Sequence, residues 1–346
     1  MTHVLPEPVP HGGDLDTARA RYPAAPEPWL DLSTGINPFS YPLPALLGDA
    51  WTRLPQISAE AELRSAAAAA YGARSADAIA SAPGSQALIQ IVPRLLNPSP
   101  VVVIAPTYAE HAIAWRREGH DVAEIANIAD IGHARVVVVT NPNNPTGTIT
   151  PTPDLRALAA TLHARDGLLV IDEAFADVAP EGTSMIPELP AATVVLRSLG
   201  KAYGLGGLRL GFAVAAPPIA ARLRDLLGPW AVSGPALAIG IAALHDTEWR
   251  VATTRKLDAA CARLDALLTA GGFTLLGGTP LFRLAAHPAA SAFVDRLGHH
   301  GIHVRAFAAQ PTWLRFGLPG EQRAWQRLEA ALADSTAQLQ TKRGIA

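Results

Sequence analysis

Short apolar runs alternate with alanine-rich amphipathic stretches through the middle of the chain. V-V-V-I-A (101–105), V-V-V-V-T (136–140), L-L-V-I-D (168–172) and V-V-L-R-S (194–198) are apolar almost throughout, as strands are when a sheet is covered on both faces. Stretches such as D-L-R-A-L-A-A-T-L-H-A-R (154–165) lie between them and predict helices. The alternation predicts an α/β domain with a mostly parallel sheet. From about Thr247 the texture changes. A long amphipathic stretch ends at Gly271 and Gly272, a helix stop, and strands over 281–285 and 313–317 then flank a helix near 289–299. This reads as a smaller α+β lobe. The expected division is an N-terminal arm with part of the small domain over 1–45, a large domain over 46–245 and a small C-terminal domain over 246–346. The first forty residues, rich in proline and glycine, are expected to cross the surface before joining the small lobe.

Composition narrows the function. Hydrophobic residues make up 49% of the 346, and 28 basic side chains nearly balance 30 acidic ones. No basic stretch suggests nucleic acid as a partner. The single cysteine, Cys261, excludes an internal disulfide and a Cys-based zinc site, and its apolar helical spacing marks it as packing. Leu226 to Leu244 carries no charge, but Gly228, Pro229, Ser233, Gly234 and Pro235 prevent a regular spanning helix. The N-terminus shows neither a basic n-region nor an apolar h-region, so the expectation is a soluble, cytoplasmic protein with no membrane partner.

The chemistry gathers just after predicted strands, the edge at which open α/β sheets bind ligands. One strand ends in T-N-P-N-N-P-T-G (140–147), the next in D-E-A-F (172–175), and a third runs into S-L-G-K-A-Y-G-L-G-G-L-R-L-G (198–211); a loop S-A-P-G-S-Q (81–86) opens a helix. Singly, each has a plain reading as a turn, a helix cap or a solvated loop. G-L-G-G-L-R-L-G lacks the G-x-G-x-x-G spacing of a nucleotide fingerprint.

In order and spacing together, these motifs resemble the fold-type I pyridoxal-phosphate (PLP) enzymes, in the class I/II aminotransferase branch that includes histidinol-phosphate aminotransferase. The likeness runs from about Asp31 to Gly317. It implies a large domain with a mostly parallel sheet between helices, a smaller α+β domain, and PLP held as a Schiff base on Lys201. Asp172 would keep the pyridine nitrogen protonated. Lys201 could later act as acid or base at the substrate Cα. Asn144 matches the residue that hydrogen-bonds the ring hydroxyl, and Tyr108 the aromatic that stacks on the ring. The cofactor phosphate would be met by free N–H groups of Gly84, Ser85 and Gln86 at the start of a helix, by the Ser198 hydroxyl and by the Arg209 guanidinium. Leu54 stands where the family often places a phosphate-binding tyrosine from the other subunit. A homodimer is part of the same expectation.

A finer resemblance is to the threonine-phosphate decarboxylase group of that branch, which serves cobalamin biosynthesis. H-G-G-D-L (11–15), D-L-S-T-G-I-N-P (31–38) and P-W-A-V-S-G-P-A-L-A (229–238) carry it, together with Phe175 where aminotransferases usually have tyrosine. It implies decarboxylation of a phosphorylated amino acid, L-threonine O-3-phosphate, to (R)-1-amino-2-propanol phosphate. His11, Gly12, Gly35, Asn144, Arg305 and Arg315 are then the substrate residues, and two guanidinium groups suit a substrate with two anions. A histidinol-phosphate-type aminotransferase is the alternative, since it shares nearly every cofactor residue.

Overall fold

The computed structural model describes residues 11–343. Its strands are β1 (Leu30–Leu32), β2 (Ile79–Ala82), β3 (Pro100–Ile104), β4 (Asp121–Ile125), β5 (Val136–Thr140), β6 (Leu168–Asp172), β7 (Thr193–Ser198), β8 (Gly211–Ala215), β9 (Thr274–Thr279), β10 (Phe282–Ala286), β11 (Ile302–Ala306) and β12 (Trp313–Gly317). Contacts divide the chain into two units. The smaller joins the residues up to Gly35 with Ala262–Leu276 and the chain from Phe282 onward; the larger holds Ile36–Cys261 and Gly277–Leu281.

In the larger unit seven strands form one sheet in the order β2-β8-β7-β6-β5-β3-β4. β3, β4, β5, β6 and β7 run parallel, and β8 is antiparallel to both β7 and β2. Every residue of β5, β6 and β7 is buried, as their unbroken apolar character requires. Because side chains alternate between faces, Val136, Val138, Val170, Val194 and Leu196 point one way, into a core with Leu88, Trp115 and Leu223. The chain leaves β4 at one edge and returns to place β5 on the other side of β3. The reversal falls at the carboxyl ends of β3 and β5, the place where sheets of this kind bind ligands. The uncharged 226–244 stretch is a turn at Gly228 followed by the helix Gly234–His245, most of it buried. Among the described residues no helix is long and apolar enough to cross a membrane.

In the smaller unit the sheet order is β1-β11-β12-β10-β9. The N-terminal segment is more structured than its composition suggests. It forms a helix, Leu15–Arg21, capped by the Asp14 side chain, and β1 pairs parallel with β11 while burying Leu32 completely. A strand of three residues carries no local pattern, and its pairing with a distant part of the chain sets it. The helix Thr247–Ala270 stops where the glycines indicated, with Gly272 at φ +80° and the N–H of Phe273 bonded back to Leu268.

Candidate active site

Asp172 closes β6 at the carboxyl edge of the sheet, with 4% of its surface exposed. Its Oδ2 lies 2.9 Å from His111 Nε2, and its Oδ1 accepts the Ala174 N–H at 3.1 Å. A buried carboxylate needs such partners. His111 belongs to the helix Glu110–Arg117 and meets the Tyr108 ring edge-on at 6.1 Å. The Tyr108 hydroxyl donates to Gln86 Oε1 at 3.1 Å, and Gln86 Nε2 donates to Glu110 Oε2 at 3.0 Å. Burial, with Glu110 and Asp172 nearby, pushes the Tyr108 phenol up to about 12, so it stays protonated at neutral pH. His111 was not singled out from sequence. The available signal was its place three residues after Tyr108, in the first turn of the helix that follows.

The loop after β5 is held by its own polar groups. Asn143 Nδ2 donates to the Pro106 carbonyl and the Thr146 hydroxyl, both at 2.9 Å, and Asn141 is tied to Thr150 in both directions. Asn144 therefore sits in a rigid turn at the same sheet edge. Ser198, buried at the end of β7, precedes the short helix Leu199–Ala202 that carries Lys201. The backbone carbonyl of Lys201 accepts from Asn37 N–H at 3.0 Å. The Lys201 Nζ is 5.7 Å from the Phe175 ring centre, which turns the amine toward the segment that follows Asp172.

Gly84, Ser85 and Arg209 form a cradle between β2 and β8. Gly84 has φ +88°, and a Cβ placed there would come within 2.5 Å of the Arg209 Nη2. Arg209 itself adopts the left-handed conformation, φ +54°, and anchors on the Gly206 carbonyl at 3.0 Å. Gly84 departs from the sequence expectation of a free N–H, because that N–H donates to the Ala82 carbonyl at 2.7 Å. Its contribution is conformational: it lets the chain turn under the guanidinium. The remaining set of a guanidinium, the Ser85 and Gln86 segment and the Ser198 hydroxyl has the donor chemistry for a phosphomonoester, and the buried Asp172 with Tyr108 suits a protonated heterocycle. The larger unit thus brings Gly84, Ser85, Gln86, Tyr108, Asn144, Asp172, Ser198, Lys201 and Arg209 to one edge of one sheet, and together they fit PLP. Leu54 is 63% exposed.

Gly211 makes that cradle possible from below. A Cβ there would lie 2.3 Å from the Ser85 nitrogen and 3.0 Å from the Arg197 carbonyl. Gly211→Ala is expected to cost about 1–3 kcal/mol, read from denaturant titration, because backbone has to shift on both sides.

The smaller unit gathers the other candidates. Arg305 and Arg315 are direct partners across β11 and β12, and like charges opposite each other destabilise a sheet unless an anion joins them. Burial, with Arg305 adding to it, pulls Arg315 down to about 10, so it is still charged at neutral pH; burial also lowers Arg305. Arg315 Nη2 donates to the Ser33 carbonyl at 2.5 Å, the Gly13 N–H donates to Ser33 Oγ at 2.7 Å, and Ser33 Oγ donates to Asp31 at 2.6 Å. A Cβ on Gly12 would meet the Ser33 carbonyl at 2.4 Å. Ser33, which sequence reasoning passed over, therefore ties the His11–Gly13 turn to Arg315. Gly35 is buried two residues further on.

The sheet order, the reversal at β3 and β5 and the residues along the carboxyl edge define a fold-type I transferase, and the chain belongs to the aminotransferase class I and II family, whose model matches residues 27–328. Within that family it is 42% identical over 325 residues to a threonine-phosphate decarboxylase of Pseudomonas aeruginosa, covering 93% of this chain and 96% of the relative. It is 43% identical over 331 residues to a threonine-phosphate decarboxylase of a Sinorhizobium species, covering 94% and 98%. The crystal structure of histidinol-phosphate aminotransferase from Sinorhizobium meliloti, in complex with pyridoxal-5'-phosphate, superposes with a TM-score of 0.82 at 24% identity, covering 98% of this chain and 99% of that one. That likeness is one of fold.

Proposed function

We propose that this chain is a PLP-dependent carboxy-lyase that converts L-threonine O-3-phosphate to (R)-1-amino-2-propanol phosphate and CO2 in cobalamin biosynthesis. The observation that carries the reading is the 42–43% identity, over nearly the whole of both chains, to relatives of that name. The geometry is consistent with it. Bound PLP supplies an electron sink for the pair of electrons left at Cα when CO2 departs. Asp172, backed by His111, holds a proton at the ring nitrogen. Lys201 supplies the amine that anchors the cofactor and delivers a proton to Cα once CO2 has left. Arg209, Ser85 and Ser198 hold the cofactor phosphate. Asn144 donates to the ring hydroxyl, and Phe175 adds no second donor there. Arg315 and Arg305 bind the substrate's two anions, with His11 and Gly12 on the phosphate side and Gly35 nearby. We also propose a homodimer, in support of which Leu43, Leu47, Trp51, Leu54 and Ile57 are 63–85% exposed along one short segment, a density of apolar surface that marks an interface. The buried, lone Cys261 accords with a reducing cytoplasmic setting.

The test is incubation of the purified protein with PLP and L-threonine O-3-phosphate. The expected result is release of CO2 and the amino alcohol phosphate with no 2-oxoacid present. Amino transfer from glutamate to imidazole acetol phosphate, without decarboxylation, would replace this reading by the aminotransferase one.

A further inference from the structure

Behind the face that carries Asp172 and Ser198 lies a buried ionic cluster with no part in the reading above. Arg197, 4% exposed, donates from Nη1 to Glu173 Oε2 at 2.9 Å and from Nη2 to Asp177 Oδ1. Its guanidinium is 4.4 Å from the Tyr71 ring centre. Glu173, fully buried, also accepts the Ser184 hydroxyl at 2.6 Å and the Met185 N–H at 2.8 Å. Burial pushes the Glu173 carboxyl up, and Arg197 opposes that; burial would pull Arg197 down, but Asp177 and Glu173 outweigh it. An apolar group of similar volume often serves stability as well as such a cluster. What it cannot supply is a directional tie.

The sheet shows what is tied. Asp172 and Leu196 are partners in register, and the Glu173 N–H continues the ladder to the Leu196 carbonyl at 2.9 Å. One step on, Glu173 lies beside Arg197. Because side chains alternate, Glu173 and Arg197 face the back of the sheet while Asp172 and Ser198 face the front. A splay or slip between the ends of β6 and β7 would displace the front pair relative to each other. We infer that Glu173 and Arg197 are positioning residues: their ion pair fixes the spacing between the carboxylate at 172 and the hydroxyl and amine at 198 and 201. Asp177 holds the other arm of the same guanidinium, so the turn after Phe175 is drawn to the same point. The inference rests on the front face being a PLP site.

Glu173→Gln is the decisive variant. It keeps the shape and leaves Arg197 with Asp177 as a neutral pair, so the fold is expected to survive; Arg197→Lys loses the fork and serves as the second variant. Each is prepared free of cofactor, melted, and titrated with PLP by fluorescence. Both are expected to bind PLP at least about tenfold more weakly than the parent, with a changed pH profile of the bound chromophore's absorbance, while cofactor-free Glu173→Gln melts close to the parent. Folded variants that bind PLP within about twofold of the parent, with the same absorbance profile, would overturn the inference. So would failure of both to fold, which would make the cluster a folding element. A parent protein that does not bind PLP defeats the reading of the front face instead.

Discussion

Lys201→Ala is expected to fold and still bind PLP through the Arg209 cradle, yet to turn over L-threonine O-3-phosphate about 10²–10⁴-fold more slowly, the range for a lost proton-transfer group. The local structure explains why folding should survive. Lys201 sits in a four-residue helix whose other contacts are made by its neighbours: Leu199, Gly200 and Ala202 are buried, and the bond to Asn37 uses the backbone carbonyl of residue 201 rather than its side chain. Truncation removes the amine turned toward Phe175 and leaves the backbone bond to Asn37 in place. Loss of both the covalent anchor and the proton donor makes this the largest single effect in the molecule. Steady-state kinetics at saturating PLP, with a melting curve as control, measures it; turnover within a factor of a few of the parent would remove Lys201 from the chemistry.

Asp172→Asn should be next in size, a loss of about 10²–10³-fold in kcat, comparable to removal of one preorganised electrostatic contact. The amide keeps the shape and can still accept from Ala174, but it carries no charge to hold a ring nitrogen protonated. The environment magnifies the change: Asp172 and His111 are 4% and 1% exposed, and water cannot replace the lost charge there. Because the contact matters most as charge develops at Cα, kcat should fall more than KM changes. A rise in KM alone, with kcat intact, would mean that Asp172 serves substrate binding instead.

The parts of the fold legible in the sequence were those governed by local pattern. Val136–Thr140 and Leu168–Asp172 were delimited to the residue because a strand buried on both faces shows as an unbroken apolar run ending in its first polar groups. Those polar groups were legible for the same reason, since a sheet edge is where the run stops. Pairings set at long range were not. β1 has three residues and depends on β11 for its existence. β4, with D-V-A-E-I half exposed at the sheet edge, lacks the run that marked its neighbours. Side-chain partners were hidden too. His111 and Ser33 look like ordinary polar residues until the fold brings them to Asp172 and Arg315. Gly84 stands out in the sequence for its N–H, but that N–H turns back across Pro83 to the Ala82 carbonyl, a closure that no side-chain pattern announces.

All of these roles depend on Lys201 being the amine that takes up PLP, at the sheet edge closed by Asp172. Borohydride reduction of the PLP-loaded protein, followed by digestion and mass spectrometry, reads this without any assumption about substrate. One phosphopyridoxyl group per chain is expected, on the peptide that contains Lys201. A label on Lys256 or Lys342, or none at all, would contradict it.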